Sequence, residues 1–176
     1  SSTVPNPLLP DYKINVRGAT TTNITITSLN NGTSLDGLTL AYLDRVLVKD
    51  QSSQPTNGIY VCGRRQVETA TVAGAITGDG DIAFSLTSLP ALVSLDIPVV
   101  NGDSASVVAG KIRTALGLES DITDNFVVGG AGTTVVLTAL LSPGNDATMN
   151  ISLNTGTATG LTAAPTSANT TTGVAT

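Results

Sequence analysis

Histidine and tryptophan are absent from the chain, and cysteine and methionine each occur once in 176 residues. Without an imidazole there is no His general base, no Ser-His-Asp triad and no ordinary His-containing zinc site. The lone Cys62 cannot close an internal disulfide. It lies in Ile59-Tyr60-Val61-Cys62, inside an expected strand, where a thiol reads as a small buried hydrophobe. Aromatics make up 3%, so the core must come from many small aliphatic contacts instead of a few large rings. Charge is also scarce. The eight Lys and Arg are spread along a chain of net charge −5, which supplies no clustered positive footprint and argues against a nucleic-acid partner. The densest basic spot, Arg64-Arg65, reads as a solvated strand end. No apolar run approaches the ~20 residues of a membrane span, so no membrane partner is expected. Ser1-Ser2-Thr3-Val4-Pro5 lacks the basic and apolar stretches of a signal peptide. The expectation is an intact cytoplasmic product that has lost its initiator Met.

What is present favours sheet. Apolar residues reach 40%, mostly Ala, Val, Leu and Ile, and abundant Thr joins Val and Ile in favouring a pleated, half-buried surface. Pro5, Pro7 and Pro10 around Leu8 and Leu9 predict an extended arm over residues 1–11. Asn23-Ile24-Thr25-Ile26-Thr27 alternates like a strand. Asn30-Asn31-Gly32 is a turn, and Leu38 and Leu40 share a face. Arg45 to Lys49 is apolar on both faces, as in a central strand. A loop from Asp50 to Gly58 then leads to a strand at Ile59 to Cys62.

Farther on, Ile82, Phe84 and Leu86 alternate with small or polar residues, as do Val93, Leu95, Ile97 and Val99. Pro98 in the latter run predicts an edge strand. Ala105, Val108, Ala109, Ile112, Ala115 and Leu116 recur at helical spacing behind Asp103 or Ser104 as N-cap. Lys111 and Arg113 lie toward the helix C-terminus, and Gly117 is placed as a left-handed stop. Gly110, unfavourable inside a helix, suggests a close contact with a sheet there. Phe126 to Val128, Thr133 to Leu140 and Met149 to Leu153 read as three more strands, and 154–176 as a loose strand or ordered tail. The expected class is mainly β with one α-helix. A small antiparallel β module at 12–66 is followed by an α+β module at 67–176, with its helix at about 103–117.

Two stretches carry a resemblance. Arg17-Gly18-Ala19-Thr20-Thr21-Thr22-Asn23-Ile24-Thr25 is followed by Leu35-Asp36-Gly37-Leu38-Thr39-Leu40. Asp44-Arg45-Val46-Leu47-Val48-Lys49-Asp50-Gln51 and Asn57-Gly58-Ile59-Tyr60-Val61 come next. This run resembles a module that recurs in phage tail-fibre, tail and head-associated proteins. Leu43 stands where that module usually has glycine. The later run, through Gly102-Asp103-Ser104, Val108 to Leu116, Val135 to Ala139 and Asn145 to Thr162, is similar to a second phage structural module.

The resemblance implies a virion part made in the host cytoplasm, most simply a head decoration or cement protein bound to the assembled capsid. A tail, collar or short-fibre component, able to touch a host receptor, is the alternative. Its partners would be other virion proteins, the major capsid protein first, and its assembly a homotrimer, although symmetry alone would allow a dimer. The expected virion contacts are Pro5, Asn6, Pro7, Leu8, Leu9 and Pro10. A carbohydrate-binding role lacks aromatic stacking platforms.

No catalytic, metal-binding or cofactor-binding set emerges. Gly78-Asp79-Gly80-Asp81 lacks the alternating ligands and closing Glu of a calcium loop, and reads as a turn. Asp121 and Asp124 read as loop solvation. Gly129-Gly130-Ala131-Gly132 opens no helix, which weakens a phosphate-binding role.

Overall fold

The computed structural model describes residues 15–88, 92–162 and 167–176; the expected arm at 1–11 lies outside them. Strand accounts for 44% and helix for 14%, so the fold is mainly β with one substantial helix. The N-terminal part contains β1 (Gly18–Ala19), β2 (Ser34–Leu35), β3 (Leu38–Thr39), β4 (Arg45–Val48) and β5 (Gly58–Val61). β4 is central in a sheet ordered β1-β4-β5, as its apolar run predicts. The β1–β4 pair is parallel, an exception to the expected antiparallel module, while β4–β5 is antiparallel. β2 and β3 form a hairpin whose two turn residues, Asp36 and Gly37, have φ of 50° and 78°. Two positive values match the right-handed strand twist. Leu29, Leu40, Val46, Val48 and Cys62 are buried together beneath Ile24, Ile26, Leu35, Leu38 and Tyr60.

Residues 23–27 are not a strand. Ile26–Ser28 forms a 3-10 turn, and side chains satisfy the backbone just before it. Ile24 N–H donates to Gln51 Oε1 at 2.9 Å, and Asn23 Oδ1 accepts from Ser52 N–H at 3.0 Å. Local side-chain bonds have displaced a ladder, yet both isoleucines still reach the core.

The rest of the chain holds β6 (Val67–Thr71), β7 (Ala73–Gly78), β8 (Gly80–Thr87), β9 (Leu92–Val99), α1 (Ala105–Leu116), α2 (Ser120–Thr123), β10 (Phe126–Gly129), β11 (Thr134–Ala139), β12 (Asn150–Asn154), β13 (Thr159–Thr162) and β14 (Ala168–Thr171). They form sheets β10-β11-β6-β14, β12-β8-β9 and β13-β7. β9, with Pro98, is an edge strand. Phe84 faces Leu95 on one side and Leu153 on the other, and Leu86 likewise faces Val93 and Ile151. Those pairs floor a second buried cluster, to which α1 adds Val108, Ala109, Ile112 and Leu116.

α1 packs on β7, β9, β10 and β11. Its N-cap is Ser104, whose hydroxyl accepts from Val107 N–H. Asp103 instead accepts from Val100 N–H and from Lys111 Nζ, at 2.9 and 2.6 Å. The Lys111 bond first, and the Val100 N–H second, hold its carboxyl below the ordinary carboxylate range. Lys111 therefore ties the helix back to its start instead of serving its C-terminus.

Two glycine expectations fail. Gly117 is right-handed (φ −68°, ψ −12°), because the chain keeps turning the same way into α2, with Leu118 N–H on Ala115 O. Gly110 has no close sheet contact. A Cβ there would meet only the Arg113 guanidinium, at 3.7 Å.

The two clusters meet along a polar seam. Asn30 Nδ2 donates to Leu140 O at 3.1 Å, and Arg64 forms an antiparallel bridge with Val174. Thr176 Oγ1 donates to Leu29 O at 2.9 Å.

Candidate functional site

The residues that carry the first resemblance hold backbone. Asp44 Oδ2 accepts from Ala41 N–H at 2.7 Å and pairs with Arg17 Nε at 3.0 Å. Gln51 is buried. It donates to Thr22 O and Lys49 O at 3.0 Å each and receives the Ile24 N–H. Asn57 Oδ1 accepts from Gln51 N–H at 3.1 Å. Thr20 Oγ1 donates to Lys49 O at 2.7 Å and accepts from Lys49 N–H at 2.9 Å. Each of these side chains satisfies backbone groups in loops that have no ladder partner. Leu43 has φ 73°, so the turn before Asp44 is left-handed with a side chain in place.

The isolated chemical groups are dispersed. Cys62 is buried, and burial, with a smaller contribution from Asp44, pushes its thiol up to about 11. That is a packed thiol and a poor nucleophile at neutral pH. Asp79 Oδ1 accepts from Asn101 N–H at 2.7 Å, and among the described residues no three His, Cys, Asp or Glu side chains gather around a metal position. Gly129 to Gly132 makes the β10–β11 hairpin turn, where Gly132 O and Thr134 O accept from Arg113 Nη1. Arg64 is more than a solvated strand end. Its guanidinium lies 5.0 Å over the Tyr42 ring, and its Nε donates to Thr172 O at 2.9 Å. Among the described residues no helix is long and apolar enough to cross a membrane.

Two surfaces among the described residues expose aliphatic side chains or form a groove. On edge strand β5, Ile59 and Val61 are 53% and 45% exposed, and Leu43 is 62% exposed. Leu47 on β4 lies directly across from Ile59 and Arg45 across from Val61, so this outer sheet face is aliphatic with a guanidinium beside it.

The second surface is a groove of about 430 Å3, formed where β8, β9, β10 and β11 converge with the loop before β12. Leu86, Val93, Phe126, Leu141 and Met149 line its apolar part, and Asp121, Asp124 and Asp146 supply carboxylates. Asp146 is used internally. Its Oδ1 accepts from Thr148 N–H at 2.8 Å, and its backbone exchanges two bonds with the Gln66 amide. Asp121 and Asp124 are exposed, and among the described residues no basic one lines the groove. The structure thus gives Asp121 and Asp124 a setting that their spacing does not reveal. The expected contacts Pro5, Asn6, Pro7, Leu8, Leu9 and Pro10 lie outside the described residues.

No protein-family model, curated protein or solved structure matches this chain.

Proposed function

We propose that this chain is a structural component of a bacteriophage virion, a head decoration or cement protein that binds the assembled capsid through surface contacts and performs no catalysis. The observation that carries the reading is the ordered run from Arg17 to Val61, which resembles a phage module. The bonds of Thr20, Asp44, Gln51 and Asn57 support it by giving those positions a shared structural reason to recur.

In this reading the major capsid protein is the partner, and the protein assembles as a homotrimer on the particle. Contact is made by the N-terminal residues Pro5 to Pro10 and by the sheet face of Leu43, Leu47, Ile59 and Val61, which Arg45 also shares. Quantitative mass spectrometry of purified virions tests it. Copies in proportion to the capsid lattice are expected. A few copies per particle would replace it with a tail, collar or short-fibre role, and absence from virions would end it. Light scattering on the isolated protein checks the trimer.

A further inference from the structure

We propose that the groove lined by Leu86, Phe126 and Leu141 is the seat of the chain's own N-terminal segment in the unbound protein, with Leu8 and Leu9 on its apolar surface and Lys13 beside Asp121 and Asp124. The groove is apolar within and negative at its rim, and among the described residues no basic side chain lines it. Stretches that combine adjacent large aliphatic residues with a nearby cation complement such a surface. Leu8-Leu9-Pro10-Asp11-Tyr12-Lys13 is one, and Lys13 is the one Lys or Arg of the chain that lies outside the described residues.

The point where that segment joins the fold favours the same chain over a second copy. Arg17 N–H donates to Arg45 O, and the Arg17 guanidinium pairs with Asp44. Asp44 O accepts from Cys62 N–H at 2.7 Å. The next residue, Gly63, lies so close to Ser142 that an added Cβ would be 2.5 Å from its hydroxyl. Ser142 is flanked by Leu141 and Pro143, both in the groove lining. The route from Arg17 to the groove is thus a short series of direct contacts. An extended chain from Asn15 back to Leu8 reaches about 23 Å, which suits it.

Tethering gives the segment a high effective concentration at the groove, and three prolines reduce the conformational freedom lost on docking. Docking there would cover two leucines in the free protein that would otherwise promote self-association. The inference concerns the isolated protein and does not depend on its place in a virion.

Disulfide trapping in the full chain tests it, using Leu9→Cys together with Leu141→Cys. Mild oxidation of a dilute sample should link positions 9 and 141 within one chain, and peptide mapping should show the bond. Leu9→Cys with Thr157→Cys, at the far end of β8, should remain reduced. Asp121→Asn with Asp124→Asn should slow the cross-link and remove its dependence on salt. A cysteine-free readout is NMR: deleting residues 1–13 should shift the amide resonances of Phe126, Ala139 and Leu141. Unmoved groove resonances, equal trapping at position 157, or linkage only between chains would each overturn the proposal, the last by assigning the groove to a second copy's segment.

Discussion

Leu43 is held at φ 73° in the turn that leads into β4. A β-carbon in the left-handed region collides with its own carbonyl, at about 1–2 kcal/mol. The turn imposes it all the same, because Leu43 N–H bonds Cys62 O at 3.1 Å and Asp44 N–H bonds Ala41 O at 3.1 Å. With the side chain largely in solvent, little burial offsets the strain. Leu43→Gly should therefore raise stability by about 0.5–1 kcal/mol, after glycine's extra freedom in the unfolded chain is subtracted. The same change removes apolar surface from the proposed contact face, so particle binding should fall as stability rises. A loss of stability in chemical denaturation would mean that the Leu43 side chain is held by contacts. Cys62 gives the opposite pH signature to a paired carboxylate. Its folded pKa, about 11, stands above the ordinary value of 9.0. The unfolded thiol releases its proton first, so stability is fully present below pH 9 and declines as pH rises toward 11. Cys62→Ala should flatten that decline, and a thiol reagent at pH 8 should label Cys62 only on unfolding.

Among the elements, α1 is the part whose sequence pattern and packing agree most closely. Val108, Ala109, Ile112 and Leu116 are fully buried, at the positions that 3.6-residue periodicity selects. Ile112→Ala should cost about 2–5 kcal/mol in chemical denaturation; a cost below about 0.5 kcal/mol would be a surface-like value and would contradict its burial. Gly110→Ala, whose Cβ would make only an ordinary contact with the Arg113 guanidinium at 3.7 Å, should gain up to about 1 kcal/mol. β4, β8, β9 and β12 were legible for a related reason, since alternate large aliphatics such as Ile82, Phe84 and Leu86 leave a period of two.

β6, β7, β13 and β14 were not. β6 has Glu68 buried on its core side at the place where alternation calls for an aliphatic. Ser167 Oγ, which donates to Glu68, also accepts from Ile151 N–H at 2.9 Å, so a polar network replaces the apolar signal. β7, β13 and β14 are mostly Ala, Gly, Thr and Asn, with Ile76 and Leu161 as isolated core aliphatics, so no alternation marks them and their pairing is set by their partners. Gly160 has φ 98°, and a Cβ there would lie 2.2 Å from Ala75 O. That close approach between β13 and β7 is invisible without the fold.

At the scale of the whole molecule the groove was equally hidden, because its lining is gathered from separate stretches between Gln66 and Met149. The seam between the two hydrophobic clusters has the same origin, and the last residues of the chain close it. Arg64 and Val174 exchange backbone bonds of 2.9 and 2.8 Å. Arg64 Nε reaches Thr172 O, and Thr176 Oγ1 contacts both Leu29 O and the Ser142 hydroxyl. Each such bond contributes about 0.5–1.5 kcal/mol net, and they stand beside direct links such as Asn30 to Leu140 and Ser142 N–H to Thr27 O. Deleting residues 172–176 should leave both clusters packed but uncouple them, so that one calorimetric transition separates into two. Gly63→Ala should act in the same direction, because its Cβ would lie 2.7 Å from Val174 O and 2.9 Å from Thr176 N. Those are backbone atoms, which can yield only if the tail moves. A single transition at the wild-type temperature in the truncated protein would show that the seam is held elsewhere.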